Sequence, residues 1–200
     1  MLRAIRLTLG AAVVLVAGTT LAQQKDAQAE GYYPLKKGSK WTYKVGDNVI
    51  DVVVSKVEMV MNEEQYTIDT IVGKEPKTSE VVVVKADGVY RLKAKDDKLD
   101  PPVKFFALPV KKDTSWKVKS KMGAQTIEGE MKVVADNEMV ETPAGKFTTV
   151  HVEAKDMDFA GAKTTVHMWF AKGQGIVKAQ FIMQNNETVT LELKEYVEGK

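Results

Sequence analysis

The stretch Lys40-Trp41-Thr42-Tyr43-Lys44-Val45 decides the fold class, because its apolar and polar residues alternate one by one. In an extended chain, the three apolar residues of this run lie on one face and its lysines and threonine lie on the other. The same alternation recurs in 115–122 and in 125–135. Half-buried strands of this kind belong to antiparallel sheets with one face toward water. The pattern therefore predicts an all-β protein.

Short turn sequences separate the alternating segments. Asp87-Gly88 and Gly173-Gln174-Gly175 supply glycine for tight turns, and Thr142-Pro143-Ala144-Gly145 has the proline and glycine of a type I turn. No amphipathic helix is indicated from Lys40 onward. We predict about 11 antiparallel strands in a curved sheet, half-barrel or sandwich. The predicted strands lie near residues 40–46, 49–60, 64–72, 79–86, 89–95, 114–122, 125–136, 146–156, 163–171, 176–184 and 187–196.

Two segments, 81–84 (four valines) and Met168-Trp169-Phe170, are apolar on both faces. An exposed run of this kind is an edge-pairing hazard. Each segment is therefore predicted to be central in its sheet and covered on both sides.

An internal repeat organises the predicted domain. Residues 34–41 align with 109–116, and 85–91 align with 172–178. The ordered agreement of tryptophan, doubly apolar strand and glycine turn predicts two tandem five-strand repeats, 34–100 and 109–184, followed by a final strand at 187–196. Two copies are too few for a solenoid, so we expect two half-domains that share one core.

The segment 96–109 joins the repeats. Its Pro-Pro pair disfavours helix and removes strand donors, yet Phe105, Phe106 and Leu108 are too apolar for a solvated tether. We predict that this linker folds back and covers the second apolar face near Trp169. The alternative is that a ligand or partner occupies that surface. Phe105, Phe106, Leu108 and Trp169 are therefore the candidate ligand or partner surface.

The first 22 residues have the pattern of a secretory signal peptide. Arg3 and Arg6 precede an uncharged run that is too short to span a membrane and that ends in small residues. Cleavage is expected after Ala22 or Ala29, with a signal-peptide helix before it. The predicted organisation is a signal peptide at 1–22, a flexible linker at 23–33 and a single β domain at 34–200. The mature protein should be periplasmic or secreted and should not span the membrane.

Composition excludes several classes of function. The chain has 29 basic and 27 acidic residues, and removal of Arg3 and Arg6 makes the two numbers equal, so no nucleic-acid partner is expected. Arg91 is then the single arginine among 26 lysines. Because there is no cysteine, disulfides, metal–thiolate sites and cysteine nucleophiles are excluded.

The candidate catalytic residue types do not form a recognisable site. Alternation directs His151 toward solvent, whereas His167 shares a face with Trp169 and is expected to be packed or hydrogen-bonded. The segment 156–161 begins like a calcium loop but has His167 where a bidentate glutamate is needed. The serines lack the sharp turn and neighbouring base of a nucleophile. We predict no catalytic, cofactor-binding or metal-binding residues, and no enzyme.

Methionine is the remaining suggestive signal. Eight methionines follow the predicted signal peptide, and flexible thioethers suit an adaptable apolar cavity, but ordinary core packing explains the same residues and is the favoured interpretation. In the strand near 176–184, Val177, Ala179, Phe181 and Met183 are expected to line one face of the strand.

Three sequence elements resemble an uncharacterised family of exported bacterial β-domains. They are 33–43 (YPLKKGSKWTY), 142–147 (TPAGKF) and 169–178 (WFAKGQGIVK), and the resemblance covers roughly residues 32–196. Some members of that group look like relatives of open β-barrel lipoprotein carriers. The resemblance implies an all-β fold and an exported address, and it implies no activity.

We therefore predict an exported non-enzymatic β-domain that binds an envelope component or an apolar ligand. The candidate partners are an apolar small molecule, a lipid or an envelope protein. The alternative is a structural or protein-interaction role, which an exposed patch around Trp169 would support. A hydrolase ranks third. A cavity of a few hundred Å³ would favour the ligand-binding prediction.

Overall fold

The computed structural model describes residues 31–159 and 161–200. This part of the chain forms twelve antiparallel strands joined by short turns, which confirms the all-β class. The strands are β1 (Lys40–Val45), β2 (Asn48–Val60), β3 (Glu63–Val72), β4 (Glu75–Lys85), β5 (Gly88–Ala94), β6 (Asp97–Ala107), β7 (Ser115–Met122), β8 (Gln125–Thr142), β9 (Gly145–Phe159), β10 (Ala162–Ala171), β11 (Gly175–Met183) and β12 (Thr188–Val197).

The predicted signal-peptide helix and both predicted cleavage sites lie outside the described residues. Within residues 31–159 and 161–200, no helix is long and apolar enough to cross a membrane.

The twelve strands form a closed barrel. Each strand pairs with its neighbours along the chain, and the ring closes where β1 pairs with β12, for example at Trp41↔Tyr196. The antiparallel arrangement is therefore confirmed. The predicted curved sheet, half-barrel or sandwich is wrong, and the predicted number of about 11 strands is one too low. Closure pairs the strands on both sides and removes the exposed edges that an open sheet would have.

The additional strand is the segment that the sequence indicated as a folded-back linker. β6 pairs with β5 near both of its ends, at Asp97-Lys98 and again from Val103 to Ala107, so it is part of the barrel wall and does not cover another strand. It meets β7 at only two ladder positions, those of Leu99 and Asp100. Pro101 and Pro102 follow directly and have no N–H to donate to the ladder. The prolines therefore weaken the seam between β6 and β7, and the pairing of β6 with β5 also skips 99–102, although the strand itself continues.

Side chains of β7 replace part of the missing ladder. The Ser120 hydroxyl donates a hydrogen bond of 2.7 Å to the carbonyl oxygen of Pro101, and the Trp116 Nε1–H donates one of 2.9 Å to the carbonyl oxygen of Lys104. Ser120 is also buried. These two side chains therefore supply donors to carbonyls of β6 at the weak seam between β6 and β7.

Both doubly apolar segments are buried on both faces, as predicted. Val82 packs in the barrel core, and its neighbour Val83 is buried on the other side of β4. In β10, Trp169 and Phe170 are both buried. The interior of the closed barrel therefore covers the inner face of each segment, and side chains on the outer surface cover its outer face.

The segment before β1 closes one end of the barrel. The Tyr33 ring packs against Trp41, Phe105 and Phe170, with centroid distances of 6.2, 5.4 and 6.4 Å. Tyr32 and Tyr33 were placed in the flexible linker 23–33 by the sequence prediction, but this end of it belongs to the folded domain. The turns that follow β1, β3, β5, β7, β9 and β11 lie at the opposite end, because successive turns of an up-and-down barrel alternate between its ends.

The two predicted repeats share a specific turn geometry. Gly38-Ser39 exchanges two backbone hydrogen bonds with Val54, of 2.8 and 2.9 Å, and Asp113-Thr114 exchanges the corresponding pair with Val133, of 2.8 and 2.9 Å. Gly38 and Asp113 also share a positive φ. With the linker counted as β6, strands β1–β6 and β7–β12 form two halves of equal strand number. Internal duplication stays a prediction, and this agreement supports it.

We predict that Ser120→Ala destabilises the barrel by about 1–2 kcal/mol, because the hydrogen bond from the buried Ser120 hydroxyl to the carbonyl of Pro101 is lost at the weak seam. Urea unfolding followed by tryptophan fluorescence measures the effect. Ser115→Ala is the matched control, since Ser115 is exposed on the same strand and should change stability by less than about 0.5 kcal/mol. Equal effects of the two substitutions would contradict this account of the seam.

Candidate functional site

A cavity of about 430 Å³ lies inside the barrel. It extends from Tyr33 and Trp41, beside the closed end, to Phe159 at the end of β9. Phe159 is 40% exposed, so the cavity reaches solvent at the end opposite the segment that precedes β1. A twelve-strand barrel is wider than the eight-strand barrels that side chains alone can fill. The volume lies in the range of small-molecule sites.

The aromatic residues of β1 are held in fixed positions around the cavity. Trp41 Nε1–H donates a hydrogen bond of 2.6 Å to the carbonyl oxygen of Gln174, and the Tyr43 hydroxyl donates one of 2.7 Å to that of Ile176. Both bonds tie a polar atom of an otherwise apolar ring to the backbone. This part of the cavity is therefore preformed.

One wall of the cavity, contributed by β8 to β12, is apolar. It includes Met131, Ala154, Met157, Met168, Phe181 and Leu191. Of the eight methionines after the predicted signal peptide, four line the cavity, namely Met122, Met131, Met157 and Met168, and the other four are exposed.

The four residues of β11 that were expected to share one face have different surroundings. Ala179 and Phe181 line the cavity, whereas Val177 is fully buried in the core and Met183 is exposed at the strand end.

The opposite wall, contributed by β3 to β5 and the turn after β5, carries the polar lining residues. They are Thr70, Thr78, Ser79, Glu80, Arg91 and Lys95. Arg91 Nε forms an ion pair with Glu80 Oε2, and the guanidinium carbon lies 5.4 Å from the centre of the Phe105 ring. The sequence pattern did not predict this wall, although Arg91 stands out as the single arginine after the predicted signal peptide.

The four residues predicted as one ligand or partner surface are all buried and do not form one surface. Phe105 lines the cavity. Phe106 packs against Phe170 at 4.5 Å between ring centres, and Leu108 lies just beyond β6. Trp169 lies on the outer side of β10, since its neighbour Met168 lines the cavity. The prediction that the linker covers Trp169 is therefore wrong.

The outer cover of Trp169 is a histidine–glutamate cluster. The rings of His151 and Trp169 stack with 4.3 Å between centres, and Trp169 Nε1–H donates a hydrogen bond of 3.1 Å to Glu138 Oε1. His151 Nδ1 lies 2.9 Å from Glu138 Oε2, and His151 Nε2 lies 3.0 Å from His167 Nδ1. His151 was expected to point into solvent, but its side chain is only 13% exposed. His167 is hydrogen-bonded, as predicted.

The hydrogen-bond directions in this cluster follow from the carboxylate. Glu138 only accepts when ionised, so His151 Nδ1 carries its proton, and Nε2 of a neutral His151 accepts from His167 Nδ1–H. Burial lowers the pKa of His151, and the neighbouring Glu138 opposes that shift. In the described part of the chain, no serine or threonine hydroxyl hydrogen-bonds to either histidine. The cluster has no nucleophile in contact with its base.

No group of three or more histidine, aspartate or glutamate side chains in residues 31–159 and 161–200 is arranged to hold a metal ion. The sequence prediction placed no metal or cofactor ligand in this chain.

Comparison with known proteins identifies the fold and no more. No protein-family model matches the chain, and no curated protein matches it. It is similar to a solved structure from Parabacteroides distasonis described as a "putative lipoprotein", with a TM-score of 0.55 and 13% identity over 83% of this chain and 98% of that one. It is also similar to one from Bacteroides fragilis described as a "putative exported protein with YmcC-like fold", with a TM-score of 0.51, 13% identity and the same coverage.

We predict that His151 titrates below its usual pKa of 6.5, because burial disfavours the imidazolium. The unfolded chain then binds the proton more tightly than the folded one. The free energy of unfolding should therefore fall as the pH decreases from 6.5 to the folded-state pKa of His151. NMR titration of the imidazole protons measures the pKa directly.

Glu138→Gln should lower the pKa of His151 further, because Glu138 raises it. Glu141→Gln is the control, since Glu141 lies on the same strand and pairs with Lys146. A pKa of His151 at or above 6.5 in the unsubstituted protein would contradict the prediction.

Proposed function

We propose that this protein is an exported, non-enzymatic β-barrel domain that binds an apolar small molecule in its cavity. The apolar wall of the 430 Å³ cavity is the observation that carries the proposal. Transfer of apolar ligand surface from water to that wall is favourable by about 25 cal/mol per Å². The two hydrogen-bonded aromatic residues of β1 reduce the reorganisation that binding would require.

Export is part of the proposal. It is supported by the predicted signal peptide at 1–22, by the resemblance to exported β-domains, and by the descriptions of the two similar structures. A periplasmic or secreted protein meets lipids and other apolar molecules of the envelope, which are the ligand class expected from the sequence.

The ligand is proposed to enter at the end opposite Tyr33. Exposed apolar side chains lie at the strand ends on that side, namely Val72, Phe159 and Met183. Phe159 belongs both to this rim and to the cavity lining. A ligand therefore has a continuous apolar path from the rim to the cavity.

The protein-interaction alternative is weaker. It depended on an exposed patch around Trp169 or Phe105-Phe106, and all three residues are buried. A hydrolase is not favoured either, because neither His151 nor His167 contacts a hydroxyl nucleophile in the described part of the chain.

The proposal is tested on the mature protein isolated after expression of the full chain in an exporting bacterium. Organic extraction and mass spectrometry should find a co-purifying apolar molecule in about stoichiometric amount. The delipidated protein should bind the uncharged probe N-phenyl-1-naphthylamine with enhanced fluorescence. A clean extract combined with no probe response would overturn the proposal.

Filling the cavity should abolish probe binding. Ala154→Phe places a large ring in the cavity from the buried wall position of β9, and we expect a loss of about tenfold or more in probe affinity, equivalent to about 1.4 kcal/mol. Ala144→Phe is the control, because Ala144 is exposed in the β8–β9 turn at the Tyr33 end of the barrel and does not line the cavity. Equal affinities of the two variants would place the probe outside the cavity.

A further inference from the structure

We infer that the cavity selects an amphiphile with a single anionic head group, which Arg91 binds while the apolar tail lies along β8 to β12. This inference rests on the proposed function and names its ligand class. The cavity is two-sided, with polar side chains on β3 to β5 and an apolar wall opposite. A wholly apolar ligand would leave the polar wall without partners, whereas an amphiphile matches both walls.

Arg91 is placed to bind an anion. It follows Val89 on the inner side of β5 and lines the cavity. Its side chain keeps 37% of its surface exposed, although Nε is buried. Nε faces Glu80 in the ion pair, and the guanidinium donates no hydrogen bond to any other residue of the described chain. A planar group that keeps four N–H donors for a further partner suits a carboxylate or phosphate.

Tyr33 supplies a second donor in the cavity that Arg91 lines. Both residues contact the Phe105 ring, with Tyr33 5.4 Å away between ring centres and the Arg91 guanidinium carbon 5.4 Å from the ring centre. The Tyr33 hydroxyl makes no hydrogen bond within the described residues and lines the cavity. Burial raises the pKa of Tyr33 well above its usual value, so the hydroxyl keeps its proton for donation.

The charges that line the cavity favour an anion over a cation. Arg91 and Lys95 are positive, and Glu80 is the single negative side chain among the described lining residues. Glu80 and the ligand head group would share the guanidinium, Glu80 at Nε and the head group at the remaining N–H groups. Glu80 therefore limits the affinity for an anion and orients the guanidinium at the same time.

The test compares ligands that differ only in the head group. Dodecanoate, dodecyl phosphate, dodecanol and dodecylamine each displace N-phenyl-1-naphthylamine from the delipidated mature protein at neutral pH. We expect at least one of the two anions to bind about tenfold or more tightly than dodecanol, because hydrogen bonds to a charged group are among the stronger ones. The comparison between dodecanoate and dodecyl phosphate identifies whether the head group is a carboxylate or a phosphate.

Substitutions locate the selectivity. Arg91→Met should reduce the affinity for the preferred anion to that for dodecanol and leave dodecanol itself within about twofold. Tyr33→Phe should weaken anion binding by a few-fold without affecting dodecanol. Glu80→Gln should strengthen anion binding, because it removes the competing carboxylate. If the ion pair between Arg91 and Glu80 had a purely structural role, Glu80→Gln would instead weaken the binding of all four ligands. Thermal unfolding checks that each variant is folded.

The outcomes separate the inference from the proposed function. If the protein binds neither the probe nor any of the four ligands, the proposed function is overturned. Equal displacement by anions and dodecanol overturns the head-group inference alone. A preference for dodecylamine also overturns it and assigns the selectivity to Glu80. If Arg91→Met does not fold, the ligand series on the unsubstituted protein and on Glu80→Gln still decides between these outcomes.

Discussion

The pairing of β1 with β12 is the interaction on which the rest of the structure depends. It joins the first and last strands, closes the ring of hydrogen bonds and leaves no strand at an edge. It also positions Trp41 and Tyr43 inside the barrel and brings Tyr33, in the segment before β1, into the end of the barrel. Without this pairing the cavity would have neither a closed wall nor a closed end.

Closure around twelve strands creates more interior space than the side chains fill. Unfilled apolar volume and a charged pair on an inner wall both reduce stability, the first through lost contacts and the second through lost hydration. Arg91 and Glu80 keep part of their surface exposed to the cavity, which limits the loss of hydration. An amphiphile of matching polarity would restore apolar contacts on one wall and hydrogen bonds on the other. On the outer surface of β10, Trp169 also needs cover from solvent, and the rings of His151 and His167 pack against it there.

Alternation predicted the strands and their faces, and it failed where the register shifts. β6 contains a bulge opposite the junction of Val89 and Tyr90, so the adjacent Phe105 and Phe106 are both buried in the barrel interior. Strand alternation would have placed them on opposite faces. For the histidines, alternation correctly placed His151 on the face of its strand opposite the core residues Val150 and Val152. It could not show that the pairing of β9 with β10 sets His151 beside Trp169.

The sequence by itself determined that the chain is all-β, where most strands lie, and which two segments are buried on both faces, because these properties depend on local periodicity and turn residues. Only the tertiary structure decided that the Pro-Pro segment is a strand, that the sheet closes, and that Arg91, Glu80 and Tyr33 share one cavity. Those properties depend on pairing between distant strands. The number of strands and their register are set by packing across the whole ring, which a pattern with a period of two residues does not record.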